Sequence, residues 1–244
     1  MSHRSAALLH RLPLLGRPPQ SPQLTVSPRR TGDVDVGHLY RATLRPADIA
    51  TVDGVPVTSV ARTLTDLART MWVPASVSAI DYALHNRMVT HDELLDSASA
   101  CKGWPGSRSI APTIALADAR AESPLESCSR LTFADVGVPT PDLQASIYRL
   151  GAEFLGRADF YWDEYGVVGE ADGRAKYTDR GVLVEEKLRQ ERLEDAGLIV
   201  VRWTWTDIRY ETASLKRRLE RAFARGRGTA SPREWSVVRL ERRD

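Results

Sequence analysis

Two carboxylates on successive strand-like runs are the residues of this chain best suited to chemistry. Asp159 follows Gly156-Arg157-Ala158 inside a run that continues to Trp162, and Glu170 closes Val167-Val168-Gly169, with Asp172 two residues on. Strands disfavour acids, so acids that interrupt two apolar runs need a reason. If both runs share a sheet, both carboxylates reach the same end of it. There they offer the hard oxygen donors that Mg²⁺ or Mn²⁺ takes in a near-octahedral shell that keeps several waters. A cation so held polarises a phosphate and lowers the pKa of its bound water, which is the chemistry of phosphodiester hydrolysis. Ordinary readings stand beside this one: Asp172-Gly173 has the form of a turn, and Ser123-Pro124-Leu125-Glu126 that of a helix start.

The elements that must position these acids follow from the pattern around them. Ser123 is placed to cap a helix with Pro124 at its first position and Glu126 at its third, and Gly137 is a natural stop. Strand-like runs follow at Leu143 to Tyr148, Phe154 to Trp162 and Tyr165 to Glu170. A charged helix from about Arg180 to Ala196 ends at Gly197, Leu198 to Trp203 reads as a buried strand, and Thr206-Asp207 starts a last helix through Leu215, Leu219 and Phe223. The predicted order is α-β-β-β-α-β-α. Trp203 and Trp205 alternate here, one available for base stacking and one for the core.

Upstream, Gln23 to Val26 and Val34 to Val36 read as short strands, and Thr51 to Thr58 holds an Asp53-Gly54 hairpin turn. Helices are predicted from Val60 through Met71, after Pro74 to about Asn86, from Thr90 with Glu93 completing a capping box, and from Ser107 to Ala119. His85 and His91 lack a carboxylate at ligand spacing, so this stretch carries no metal or nucleophile constellation.

With 244 residues the chain makes one or two domains, and 27% charged against 42% hydrophobic residues is ordinary globular composition. No apolar run approaches a membrane span and the opening makes a poor signal peptide, so a cytoplasmic protein is expected. Cys101 and Cys128 form no CxxC pair and are expected as reduced thiols. The net charge of +2 hides a segregation: residues 1–32 hold five Arg and no acid, residues 151–200 twelve acids against seven bases, and residues 213–244 ten Lys or Arg against four acids. Basic ends around an acidic centre fit a polyanion-binding protein, although solvated helix faces produce such runs too.

Taken together, Glu122-Ser123-Pro124-Leu125-Glu126, Gly156-Arg157-Ala158-Asp159, Glu170-Ala171-Asp172-Gly173, Glu186 to Arg192 and Val201 to Trp205 resemble the PD-(D/E)xK nuclease fold, and within it the endonuclease-like domains related to very-short-patch-repair endonucleases. The resemblance implies an α/β, restriction-endonuclease-like domain over residues 120–228, ahead of a tail at 229–244, and a metal-dependent nuclease acting on DNA. Asp159 and Glu170 would be direct ligands of Mg²⁺ or Mn²⁺, and Glu126 would bind through water or orient the attacking water. Where that fold has its catalytic lysine, this chain has Asp172, as the endonuclease-like relatives do. Asp172 is then a further ligand or the shaper of the turn, and the cation would come from Lys176 or Lys187, with Arg174 on phosphate and Gln190 facing the site.

The first half resembles something else. Met1 to Leu9, Val52 to Thr58 and Ala61-Arg62-Thr63-Leu64-Thr65-Asp66-Leu67-Ala68 look like the region that follows the winged helix in AbiEi-type antitoxin proteins, so residues 1–119 are expected to form a mainly helical α+β region that begins inside that pattern without the winged helix. Two functions remain open at this point. One is a DNA nuclease; the other is a catalytically inactive DNA-binding or antitoxin-like protein that keeps the nuclease scaffold, with a protein partner possible.

Overall fold

Asp53 and Gly54 both take positive φ, 50° and 77°, as a two-residue type I′ hairpin turn requires. A computed structural model of the chain describes residues 1–28, 37–150, 152–173, 180–227 and 233–241, with the side chains of 180–184 left aside. It divides into two units, Met1–Pro124 and a second that begins at Leu125. In the first, α1 (His3–Leu9) is followed by β1 (Gln23–Val26) and β2 (His38–Arg41), which pair in parallel, and by the hairpin of β3 (Ile49–Val52) and β4 (Val55–Thr58). The expected strand at 34–36 lies outside the described residues.

Four helices complete the first unit: α2 (Val60–Thr70), α3 (Val73–His85), α4 (His91–Ala100) and α5 (Ile110–Ala115). Their starts are chemically specified. Ser59 Oγ accepts from the Arg62 amide, while Thr90 Oγ1 accepts from the Glu93 amide and the Glu93 carboxylate accepts from the Thr90 amide. The helix predicted over 107–119 is shorter than expected, a 3₁₀ turn at Ser107–Ser109 and then α5, with Pro112 in its first turn. Leu64, Leu67, Ile80, Leu94, Ile110 and Ile114 form the core.

Beside that core sits a buried charge network. Arg62 and Asp66 are both fully buried and joined by two bonds of 3.0 and 3.2 Å, Arg69 Nε donates to Asp66 at 2.9 Å, and Arg62 lies 4.4 Å from the Trp104 ring centroid. His3 belongs to the same cluster, with Nε2 2.9 Å from an Arg69 nitrogen and its ring stacked on Tyr40.

The second unit is a five-stranded sheet between helices. Its elements are α6 (Pro124–Asp135), β5 (Asp142–Arg149), β6 (Phe154–Trp162), β7 (Val167–Ala171), α7 (Arg180–Asp195), β8 (Ile199–Trp203), α8 (Trp205–Tyr210), α9 (Thr212–Arg227) and β9 (Trp235–Val238). The strand order is β8-β7-β6-β5-β9, with β7 and β8 parallel and the other pairs antiparallel. Gly137, φ +73°, follows α6, and Gly197, φ +92°, follows α7.

Strand alternation sorts side chains onto two faces. Ile147, Tyr161, Val168 and Val200 pack with Leu193 and Ala196 at the end of α7. Phe160, Trp162 and Trp203 lie on the other face against Phe133 and Phe223. Trp203 is 1% exposed and donates Nε1–H to Ser129 Oγ at 2.7 Å, so its role is packing. Trp205 opens α8 rather than extending a strand.

Three further sequence expectations change. The last helix is two helices: Thr204, not Thr206, is the cap, its amide and hydroxyl bonded to Asp207, and the first of the two ends at Glu211. Tyr165 sits in a 3₁₀ turn ahead of β7. The region read as a tail supplies β9, which pairs with β5 from Ser146↔Val238 to Arg149↔Trp235.

Candidate functional site

The α7 face of the sheet carries Arg157 and Asp159 on β6, Glu170 on β7 and Arg202 on β8, because each lies an even number of residues from an apolar partner on that face, Tyr161, Val168 or Val200. Glu170 and Arg202 are register partners. With Asp172, and with Glu186 and Arg189 from α7, they line a pocket of about 170 Å³. The two acids singled out in the sequence do therefore meet.

Asp159 Oδ2 accepts the Ala171 amide at 2.9 Å, which ties β6 to β7 beyond the last ladder pair. The Asp172 amide donates to the Trp203 carbonyl at 2.8 Å. Glu170 is buried and held by a fork: Arg189 Nη1 donates to Oε1 at 3.0 Å and Nη2 to Oε2 at 2.7 Å, while Nη1 also reaches the Arg157 carbonyl at 3.0 Å. Glu186 lies 3.8 Å from both Arg189 and Arg202. The stem of Arg189 crosses the strand at Gly156, where an added Cβ would sit 3.1 Å from its Cγ. A Cβ at that crossing would need the Arg189 stem to give by a few tenths of an ångström.

Burial pushes the Glu170 carboxyl above the ordinary carboxylate range, and the charge of Asp159 adds to this while Arg189 and Arg202 oppose it. Burial also disfavours the Arg189 cation, but the hydrogen bonds to Glu170 together with the negative charges of Glu170, Asp159 and Glu186 outweigh it and hold the pKa above the ordinary value. Both Glu170 oxygens accept from Arg189, and among the described residues no three His, Cys, Asp or Glu side chains are grouped to hold a metal.

The other expected site residues fall elsewhere. Glu126 is buried on α6 and accepts from Gln144 Nε2 at 2.8 Å, outside the pocket lining. Lys187 is 78% exposed and 3.7 Å from Glu191, and Gln190 donates to Glu194 at 2.7 Å, so neither lines the pocket. Arg174 and Lys176 lie outside the described residues.

The face of α7 that meets the pocket lies one residue, about 100° of rotation, from the Lys187 and Gln190 face expected. Glu186, Arg189 and Leu193 recur at spacings of three and four, and Leu193 is buried whereas Leu188 is half exposed. Phasing α7 on Leu193 would have found Glu186 and Arg189.

A second feature is basic. On α9, Leu215, Leu219, Ala222 and Phe223 are buried, and Arg217, Arg221 and Arg225 lie on the exposed side. Spaced by four residues, they stand about 6 Å apart along the axis. Their neighbours Lys216 and Arg218 are tied inward, to the Val136 carbonyl and to Asp207, each at 2.7 Å.

Residues 3–107 match the AbiEi antitoxin C-terminal domain family. Two uncharacterised proteins from two strains of Mycobacterium tuberculosis are 29% identical to this chain over 181 residues, which is 74% of the chain and 66% of each relative. The match thus spans just under two thirds of the relatives' length. No solved structure matches the chain. Among the described residues no helix is long and apolar enough to cross a membrane.

Proposed function

We propose that this protein works by binding DNA as an antitoxin-like protein, and that its second unit is a nuclease-type scaffold used for binding rather than cutting. The observation that carries the reading is the exposed pair Arg217 and Arg221 on α9, which sets two guanidiniums at an interval suited to successive phosphates of one strand. The similarity of residues 3–107 to the antitoxin domain supports the role. The order α6-β5-β6-β7-α7-β8, with β7 parallel to β8, supports a PD-(D/E)xK-like scaffold, and the Arg189 fork on Glu170 supports a quiescent pocket.

Duplex binding measured against salt tests this. The wild type should show a steep negative slope of log K on log salt, reduced by about 0.9 for each lost phosphate contact in Arg217→Gln and Arg221→Gln, and Asp159→Ala should bind as the wild type does. An unchanged slope in both arginine variants sinks the reading.

A second reading is metal-dependent hydrolysis of DNA by Mg²⁺ or Mn²⁺ at Asp159 and Glu170, favoured by the convergence of Asp159, Glu170 and Asp172 on one pocket. It requires Arg189 to leave Glu170. Cleavage of plasmid by the wild type with either metal, lost in Asp159→Ala, would replace the first reading with this one; intact DNA under all such conditions removes it.

A further inference from the structure

The first unit contains a cleft of about 470 Å³ that the reading above does not use, lined among others by Arg4, Arg17, Gln23, Tyr40, Thr70 and Trp72, with no carboxylate among the described residues of its wall. Among the described residues neither Arg4 nor Arg17 is ion-paired. The Nε of Arg4 is buried and finds no acceptor among the described residues, an unmet donor that an entering anion would satisfy. The Arg4 amide donates to Gln23 Oε1 at 2.8 Å, which occupies the amide oxygen and leaves the NH₂ as the group Gln23 can offer. Tyr40 is stacked against His3, with ring centroids 3.4 Å apart, so its position is fixed. Trp72 precedes α3 and is 52% exposed. An exposed indole beside two guanidiniums that make no ion pair among the described residues is an aromatic platform joined to an anion site.

We propose that this cleft binds a nucleotide, with the phosphate held by Arg4 and Arg17 and the base stacked on Trp72. Its volume falls in the range of about 300–1,000 Å³ common to small-molecule sites. Arginine suits phosphate through its planar, charge-assisted fork, and every base has a face for the indole. A carboxylate ligand such as an acidic peptide would use the arginines but gain nothing from Trp72. The nucleotide is either free or part of a single strand, and the proposal does not rest on α9.

The test is isothermal titration of the full chain with dTMP, a single-stranded decathymidylate, inorganic phosphate and a Glu-rich peptide. The nucleotide forms should bind at least about tenfold tighter than phosphate or peptide, and Trp72→Leu should weaken them about tenfold while leaving phosphate unchanged. Arg17→Gln should reduce the salt slope for the strand by about 0.7. Binding of the strand without dTMP assigns a strand residue as ligand, and equal binding assigns a free nucleotide. Phosphate or peptide binding as tightly as nucleotide overturns the proposal, as does wild-type affinity in both variants. Trp72 is half exposed and Arg17 exposed, so both variants should fold, which circular dichroism checks. Duplex binding undiminished in both variants leaves the α9 reading intact.

Discussion

Replacing Arg189 by alanine removes the counter-charge from a carboxylate that cannot reach bulk water. The Glu170 side chain is 9% exposed and that of Arg189 24%, joined at 2.7 and 3.0 Å. Removing one partner of a buried pair costs about 3–5 kcal/mol. Arg189 is a quarter exposed and Arg202 still acts on Glu170, which brings the expected loss to about 2–3 kcal/mol near neutral pH. The pH dependence has a definite sign. Glu170 already titrates above its unfolded value, so between the two values the native state holds more protons and stability falls as pH rises through that window. Without Arg189 the folded pKa rises further and the window extends upward, so the loss should shrink at about pH 5, where Glu170 is closer to protonated. Glu170→Gln in the Arg189→Ala background should recover most of it, since an amide needs no counter-charge. Urea denaturation, with hydrogen exchange at β7 and β8 to isolate the second unit, measures all of this. A variant within about 0.5 kcal/mol of wild type near neutral pH, or an equal loss at both pH values and in the Gln background, would refute the argument. Mn²⁺ should stabilise Arg189→Ala more than wild type if the released Glu170 carboxylate accepts a cation, by about 2.7 kcal/mol at a hundredfold excess over Kd.

Three further outcomes are expected. Burial pushes His3 down to about 4 while the unfolded chain titrates near 6.5, so the first unit should lose stability as pH falls through that interval, by about 3 kcal/mol in all; a denaturation midpoint that is flat there contradicts it, and His3→Asn should remove the dependence. At Gly169 a Cβ would lie 2.5 Å from Trp203 Cη2 and 2.9 Å from Trp162 Cζ3, so Gly169→Ala should cost at least about 1–3 kcal/mol by overpacking, and an unshifted Tm would count against the aromatic packing described. Ser129→Ala strands the Trp203 indole N–H and should destabilise by about 1–3 kcal/mol, whereas an unchanged denaturation midpoint would show that the bond is not needed.

What could be read in the sequence was written locally. Asp53-Gly54 could hardly be anything but a hairpin turn, and Thr90 to Glu93 carried its capping box in four residues. The acids of β6 and β7 stood out because strands do not want them, and the structure does bring Asp159 and Glu170 into one pocket. What escaped was decided at a distance. Nothing in Trp235-Ser236-Val237-Val238 announces the edge of β5 as its partner, and the polar face of α7 could be phased only by knowing that Leu193, not Leu188, meets the sheet. Arg189, the residue that most alters the meaning of the acids, was hidden for that reason. The break between α8 and α9 was obscured by the competing caps Thr204 and Thr206.

The pairing of β9 with β5 also sets a schedule. As the chain leaves the ribosome, β5, β6, β7 and β8 are all available before Trp235 emerges, yet β5 keeps an unpaired edge until Ser236 to Val238 arrive. For that interval the nascent sheet offers a row of backbone donors and acceptors to any extended strand nearby. A chain cut short before Trp235 would keep the offer open permanently. Its fate would be set by what else bound there.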